Sequence, residues 1–143
     1  MSNPVFTTQN LRPKPSVINR LPGIGRNTGT VLYPKIYLSQ PLYEDAMSAR
    51  PSPNTIALIL HEQEHLRRIK STGAFKWYVR YILSRKFRVT EEIAAYKPQL
   101  LYLRKNSIVV DLDQKARVLS GWLYLWPITH AEAHRKLTEI WES

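Results

Sequence analysis

Two histidines four residues apart, with a glutamate directly after the first, stand in His61-Glu62-Gln63-Glu64-His65. On a helix, positions i and i+4 share a face, so both imidazoles can turn toward one metal ion. Glu62 lies about 100° further round the helix axis and can address a water on that metal without being a ligand. Zinc lowers the pKa of such a water to about 7, and a neighbouring carboxylate can take its proton as it attacks a carbonyl carbon. The pattern is HExxH, and each of its three specified residues has a task in zinc-assisted hydrolysis.

Such a site needs a rigid carrier. The apolar run Thr55-Ile56-Ala57-Leu58-Ile59-Leu60 immediately before the histidines predicts a buried helix. Ser52 is placed as its N-cap, and Pro53 falls at the first helical position, where a missing N–H costs nothing. A catalytic zinc takes three protein ligands and keeps a fourth position for water, so one more ligand is required. Thr90-Glu91-Glu92-Ile93-Ala94-Ala95-Tyr96 offers it, with Thr90 able to cap a helix whose first turn is acidic.

From Ser52 to Tyr96 the chain resembles the gluzincin group of zinc metallopeptidases, in which an HExxH helix is followed by a second helix that supplies a glutamate ligand, often within E-x-x-A. The resemblance implies a zinc cofactor, a peptide or protein substrate, His61 and His65 as ligands and Glu62 as general base. Glu91 with Ala94 and Glu92 with Ala95 both fit E-x-x-A. Gluzincins often place a side chain four residues after the ligand to hydrogen-bond a zinc-bound histidine. Glu92 puts Tyr96 there and Glu91 puts Ala95, which favours Glu92. The group more often has a carboxylate at that place, so Tyr96 is a departure.

His130 and His134 are also four apart, but no apolar run precedes them, and Glu132 stands in capping-box spacing to Thr129. A second metal pair or a transition-state role is open to them by residue type, but ordinary surface or packing roles are expected. An oxyanion needs a donor beside the zinc, and Tyr78, Tyr81, Tyr96, His130 and His134 all qualify by residue type.

Charge is the other marked feature. The chain has 21 basic and 11 acidic residues, a net +10. Between Leu66 and Thr90 there are Arg67, Arg68, Lys76, Arg80, Arg85 and Lys86, together with Lys70 and Arg88, and no acid. Such a positive field attracts anionic partners. Helical spacing predicts Phe75, Tyr78, Val79, Ile82 and Leu83 toward the core and Trp77 and Tyr81 on the opposite face, beside Lys76 and Arg80. Aromatics among cations suit nucleic acid, through stacking and phosphate contacts, or an anionic membrane surface. The alternative to an enzyme is therefore a non-catalytic basic binding or structural protein on a zincin-like fold. The intact Glu62 favours the enzyme, since a structural metal has no use for it.

The 143 residues predict a Pro/Gly-rich arm over 1–29 and one domain over 30–143, of α+β class, with a mainly helical zincin-like core and a small N-terminal β element. Residues 30–33 and 35–38 read as strands turned at Pro34. In gluzincins a strand near the zinc helix pairs with extended substrate, a role this segment would take. Further helices are expected over 74–86, 91–105, 112–125 and 130–142, the second of them kinked or split at Pro98. No cysteine is present, which excludes disulfides and a thiolate zinc site. The opening residues lack the charged and apolar regions of a secretory signal, and Gly121 to Ile128 is too short to span a bilayer, so a cytoplasmic protein is expected, with association to a membrane surface left open.

Overall fold

Strands come first and helices follow. The computed structural model describes residues 7–20, 28–121, 124–125 and 127–143. Among these, the elements are β1 (Leu11–Pro13), a helical turn α1 (Ser16–Asn19), β2 (Gly29–Leu32), β3 (Lys35–Leu38), α2 (Gln40–Met47), α3 (Pro53–Thr72), α4 (Ala74–Leu83), α5 (Arg85–Lys105), α6 (Leu112–Leu119) and α7 (His130–Glu142). The class is α+β, mainly helical, with a small three-stranded sheet near the N-terminus.

The sheet order is β1-β3-β2. β2 runs antiparallel to β3 with Val31 opposite Ile36, and β1 runs parallel to β3 with Leu11 opposite Ile36. The segment expected as an arm thus supplies a strand, because Leu11 is buried with Ile36, Leu38, Ala46 and Ile59 in a core between the sheet, α2 and α3. The rest of that segment, residues 1–6 and 21–27, lies outside the described residues. A second core of Tyr96, Leu100, Ala116, Leu119, Ala133 and Leu137 lies among α5, α6 and α7. α3 and α5, packed against each other, stand between the two.

α3 begins as its sequence predicts. The Ser52 hydroxyl accepts from the Thr55 N–H at 3.3 Å, and Asp45 accepts from the Ser52 N–H at 3.0 Å. It ends at Gly73, whose φ of 93° is open to glycine alone at little cost and turns the chain directly into α4.

Three expectations are corrected. The second acidic helix starts not at Thr90 but at Ser84, whose hydroxyl accepts from the Phe87 N–H at 3.1 Å; Thr90 instead bonds back to the Lys86 carbonyl at 3.0 Å within the helix. α5 is not split at Pro98 but continues through it as one helix, packed against α3 and α7. The helix expected over 112–125 stops at Leu119, its Asp111 cap accepting from the Gln114 N–H at 2.9 Å; residues 122 and 123 lie outside the described residues. α7 has the capping box of Thr129 and Glu132 in full.

α4 is the fourth correction, and it is turned the other way round. Trp77 is buried, while Phe75, Val79, Ile82 and Leu83 are exposed. The cause is polar. Trp77 donates its indole N–H to Glu91 at 2.9 Å, and the Tyr81 hydroxyl donates to Glu92. Two buried carboxylates require donors, so the aromatics with polar tips turn inward and the plain hydrocarbons are left outside.

Candidate metal centre

The α3–α5 contact is built from two facing stripes. His61, His65 and Arg68 fall at i, i+4 and i+7 on α3, one face of a helix. On α5 they meet Gln99, Glu92 and Glu91, so partners descend along α5 as they ascend along α3. His61 Nδ1 lies 3.0 Å from Gln99 Oε1. His61 Nε2 lies 3.4 Å from Glu92 Oε2, and His65 Nε2 3.4 Å from Glu92 Oε1. Arg68 takes Glu91 in a two-pronged ion pair, both N–H···O distances 2.7 Å. The adjacent glutamates are thereby sorted: Glu91 is held by Arg68 and Trp77, and Glu92 faces the histidines.

Ligand atoms of His61, His65 and Glu92 all lie within 4.8 Å of one another, and all three residues are buried. Their chemistry fits zinc. Nitrogen and oxygen ligands at about 2.0–2.1 Å from a tetrahedral zinc stand about 3.3 Å apart, close to the 3.4 Å between each histidine Nε2 and its nearer Glu92 oxygen, Oε2 for His61 and Oε1 for His65. Glu92 Oε2 has no hydrogen-bond partner among the described residues although it is buried, and a bound cation would satisfy it. With Gln99 Oε1 as acceptor, the proton of His61 sits on Nδ1, which leaves the Nε2 lone pair toward Glu92. His65 Nδ1 has no such acceptor among the described residues.

The electrostatics are those of a negative pocket. Burial alone would raise the Glu92 pKa, but His65 and His61 outweigh it and hold the carboxyl well below its usual range. Burial opposes the charge on His65, and Glu92 overrides it, so the net shift of that imidazole is upward. Tyr81, Tyr96 and Tyr124 are all pushed up, by burial first and then by the charge of Glu92. They stay protonated and serve only as donors or neutral dipoles. The Tyr81 hydroxyl donates to Glu92 Oε1, and the Tyr96 ring packs edge-on to His61 with centroids 4.8 Å apart. No hydrogen bond joins Tyr96 to His61; the tie expected of residue 96 is made one turn later, by Gln99.

Glu62 is buried beside this group, and its charge is felt by His65, Tyr81, Tyr96 and Tyr124. Gly29 of β2 closes over it: a Cβ there would lie 2.7 Å from Glu62 Oε1. Among the described residues β2 is an edge strand, so the strand expected to receive an extended substrate stands directly against the expected general base. Lys14 is also within the field of Glu62. Burial lowers its pKa more than that charge raises it, and its ammonium donates to the Thr28 hydroxyl at 2.6 Å.

Other expected site residues lie elsewhere. His130 and His134 are exposed on α7, outside the three-residue group, and His130 lies 2.9 Å from Asp113. Tyr78 is engaged by the β2–β3 hairpin, donating to the Val31 carbonyl at 2.9 Å and accepting from the Tyr33 N–H at 3.0 Å. Of the expected anion-binding residues, Arg67 pairs with Glu64 at 2.6 Å and Arg68 with Glu91, so internal acids already compensate both. Lys76, Arg80, Arg85 and Lys86 are exposed, Arg80 lying over the Phe87 ring. Arg88, by contrast, is buried and donates to the Tyr81 and Ile82 carbonyls at 2.8 and 2.7 Å, closing the end of α4.

Sequence reasoning missed Gln99 and Tyr124. Gln99 was within reach, since it lies seven residues after Glu92 and so on the same helix face. Tyr124 has no such signal; it is brought in by Arg88, which donates to its carbonyl at 3.2 Å. No helix among the described residues is long and apolar enough to cross a membrane. No family model matches the chain, and neither a curated protein nor a solved structure does.

Proposed function

We propose that the chain is a zinc-dependent metallopeptidase of gluzincin type, with His61, His65 and Glu92 holding the metal and Glu62 as general base. The observation that carries this reading is the meeting of both HExxH histidines with a buried carboxylate, one oxygen of which has no hydrogen-bond partner among the described residues, beside a second glutamate outside the ligand group. Zinc bound there would act as a Lewis acid that activates water for attack on a peptide carbonyl.

The chain's own residues do the rest. Glu62 takes the proton of the attacking water on its carboxylate and returns it to the leaving amine. Gln99 fixes the tautomer of His61, and Tyr81 fixes the rotamer of Glu92 through its hydroxyl. Tyr96 and Tyr124 are neutral phenols in the field of Glu62 and Glu92, available as donors to a carbonyl oxygen that gains charge. The β2 edge beside Glu62 offers backbone pairing to an extended peptide.

Glu62→Gln tests the reading. Its amide cannot take a proton, so the variant should keep zinc and fold while hydrolysis of a mixed peptide library falls by at least about 100-fold. Equal cleavage by variant and wild type removes the general base from the account. No cleavage by zinc-loaded wild type favours the non-catalytic alternative.

A further inference from the structure

We propose that the outward face of α4 is a docking surface for an anionic lipid bilayer. Phe75, Ile82 and Leu83 are 85%, 65% and 79% exposed, and Val79 is 38% exposed. At about 100° per residue these four fall within one arc of about 100°, with Lys76 and Arg80 next to it on the same helix. Arg85 and Lys86 follow, exposed, at the start of α5. Through its bonds to the hairpin backbone, Tyr78 brings the exposed Leu32 and Tyr33 alongside. The result is hydrocarbon rimmed by cations, in a stretch of sequence without an acid from Leu66 to Thr90.

Charge and side-chain type select the occupant. A nucleic acid would use the cations but leaves aliphatic side chains unused, and the aromatics that could stack on bases, Trp77 and Tyr81, are turned inward. A second copy of this chain would bring the same cations against each other on a molecule of net +10. An anionic bilayer complements both components: the acyl boundary takes Phe75, Ile82 and Leu83, and acidic headgroups meet Lys76, Arg80, Arg85 and Lys86. The inner face of the same helix touches the metal centre, where Trp77 packs edge-on to His65 at 5.8 Å and Tyr81 reaches Glu92. Docking therefore holds that centre about one helix diameter, roughly 10 Å, from the headgroups.

Co-sedimentation of the full chain with phosphatidylcholine vesicles, with and without phosphatidylserine, tests the surface at low and high salt. Binding to the serine lipid should exceed binding to phosphatidylcholine alone by at least about tenfold at low salt. A Phe75→Ser, Ile82→Ser, Leu83→Ser variant and a Lys76→Glu, Arg80→Glu variant should each lose about tenfold or more. Both change exposed side chains, and circular dichroism is the check that they fold. Phe75→Trp should be quenched by brominated acyl chains. Absence of binding to the serine lipid at low salt, unchanged binding by the serine variant, or an unquenched Trp at position 75 would overturn the proposal. A dimer in analytical ultracentrifugation that the serine variant abolishes would overturn it in favour of a second copy, and tighter binding to single-stranded nucleic acid than to vesicles would overturn it in favour of that polymer. None of these readouts depends on zinc or hydrolysis, so the surface and the metal centre stand or fall separately.

Discussion

Replacing Gly29 with alanine adds one methyl group directly against the proposed general base. The new Cβ would stand 2.7 Å from Glu62 Oε1, 2.8 Å from Cγ and 2.9 Å from Cδ, where ordinary contact begins at 3.4 Å. β2 is pinned by its pairing with β3, Gly29 opposite Leu38, so the Glu62 side chain is the part that moves, by about 0.7 Å. A displacement approaching 1 Å of a group that must meet a water costs about 100-fold in rate. Stability responds far less: crowding of about 1–3 kcal/mol is partly offset by about 0.5–1 kcal/mol from the smaller unfolded-chain entropy of alanine. The expected signature of Gly29→Ala is a kcat reduced about 100-fold, with zinc content unchanged and a modestly lower melting temperature. It is read from peptide hydrolysis, metal analysis and thermal denaturation of one preparation. Wild-type kcat would refute the contact's role in positioning Glu62, and loss of zinc would put Glu62 among the ligands.

The two adjacent glutamates should respond in opposite ways. Glu92→Gln should lose zinc, whereas Glu91→Gln should keep it and lose about 1–3 kcal/mol of stability from the weakened Arg68 pair; zinc titration and thermal melts of both variants check this, and the reverse pattern would move the ligand by one residue. Gln99→Leu leaves the His61 Nδ1 proton without an acceptor and should weaken zinc binding about 10- to 100-fold, measured by competition with a chelating dye. For His65, burial lowers the pKa but Glu92 raises it more, so the net shift is upward from 6.5. In the metal-free protein the charged imidazole therefore contributes stability that is present below about pH 6.5 and lost as pH rises through the raised value, whereas zinc needs the neutral ring. The increase in melting temperature on adding zinc should grow from about pH 5.5 to pH 8.5, and an increment independent of pH would contradict the proton–metal competition.

Much of the centre was legible because helical periodicity maps sequence spacing onto faces. His61 and His65 share a face by arithmetic, and Ser52 with Pro53 marks the start of their helix. Tyr96 as the marker of Glu92 pointed to the glutamate that faces the histidines, although the hydrogen bond to His61 comes from Gln99. α4 was read upside down because counting apolar residues ignores what buried carboxylates demand: Glu91 and Glu92 draw in the donors of Trp77 and Tyr81. The start of α5 was misplaced because an acidic turn after Thr90 imitates an N-terminus, while the Ser84 cap opens a first turn with no acid in it. β1 was not legible at all. Its three residues pair with β3 through non-local hydrogen bonds, and no local pattern announces them.

One zinc ion is proposed to sit among His61, His65 and Glu92. Anomalous scattering from crystals of the purified protein, recorded on both sides of the zinc absorption edge, tests it most directly. A single peak is expected, bonded to His61 Nε2, His65 Nε2 and a Glu92 carboxylate oxygen, with one coordination position open to water beside Glu62. A zinc-replete crystal with no peak there, or with its zinc at His130 and Asp113, would contradict it.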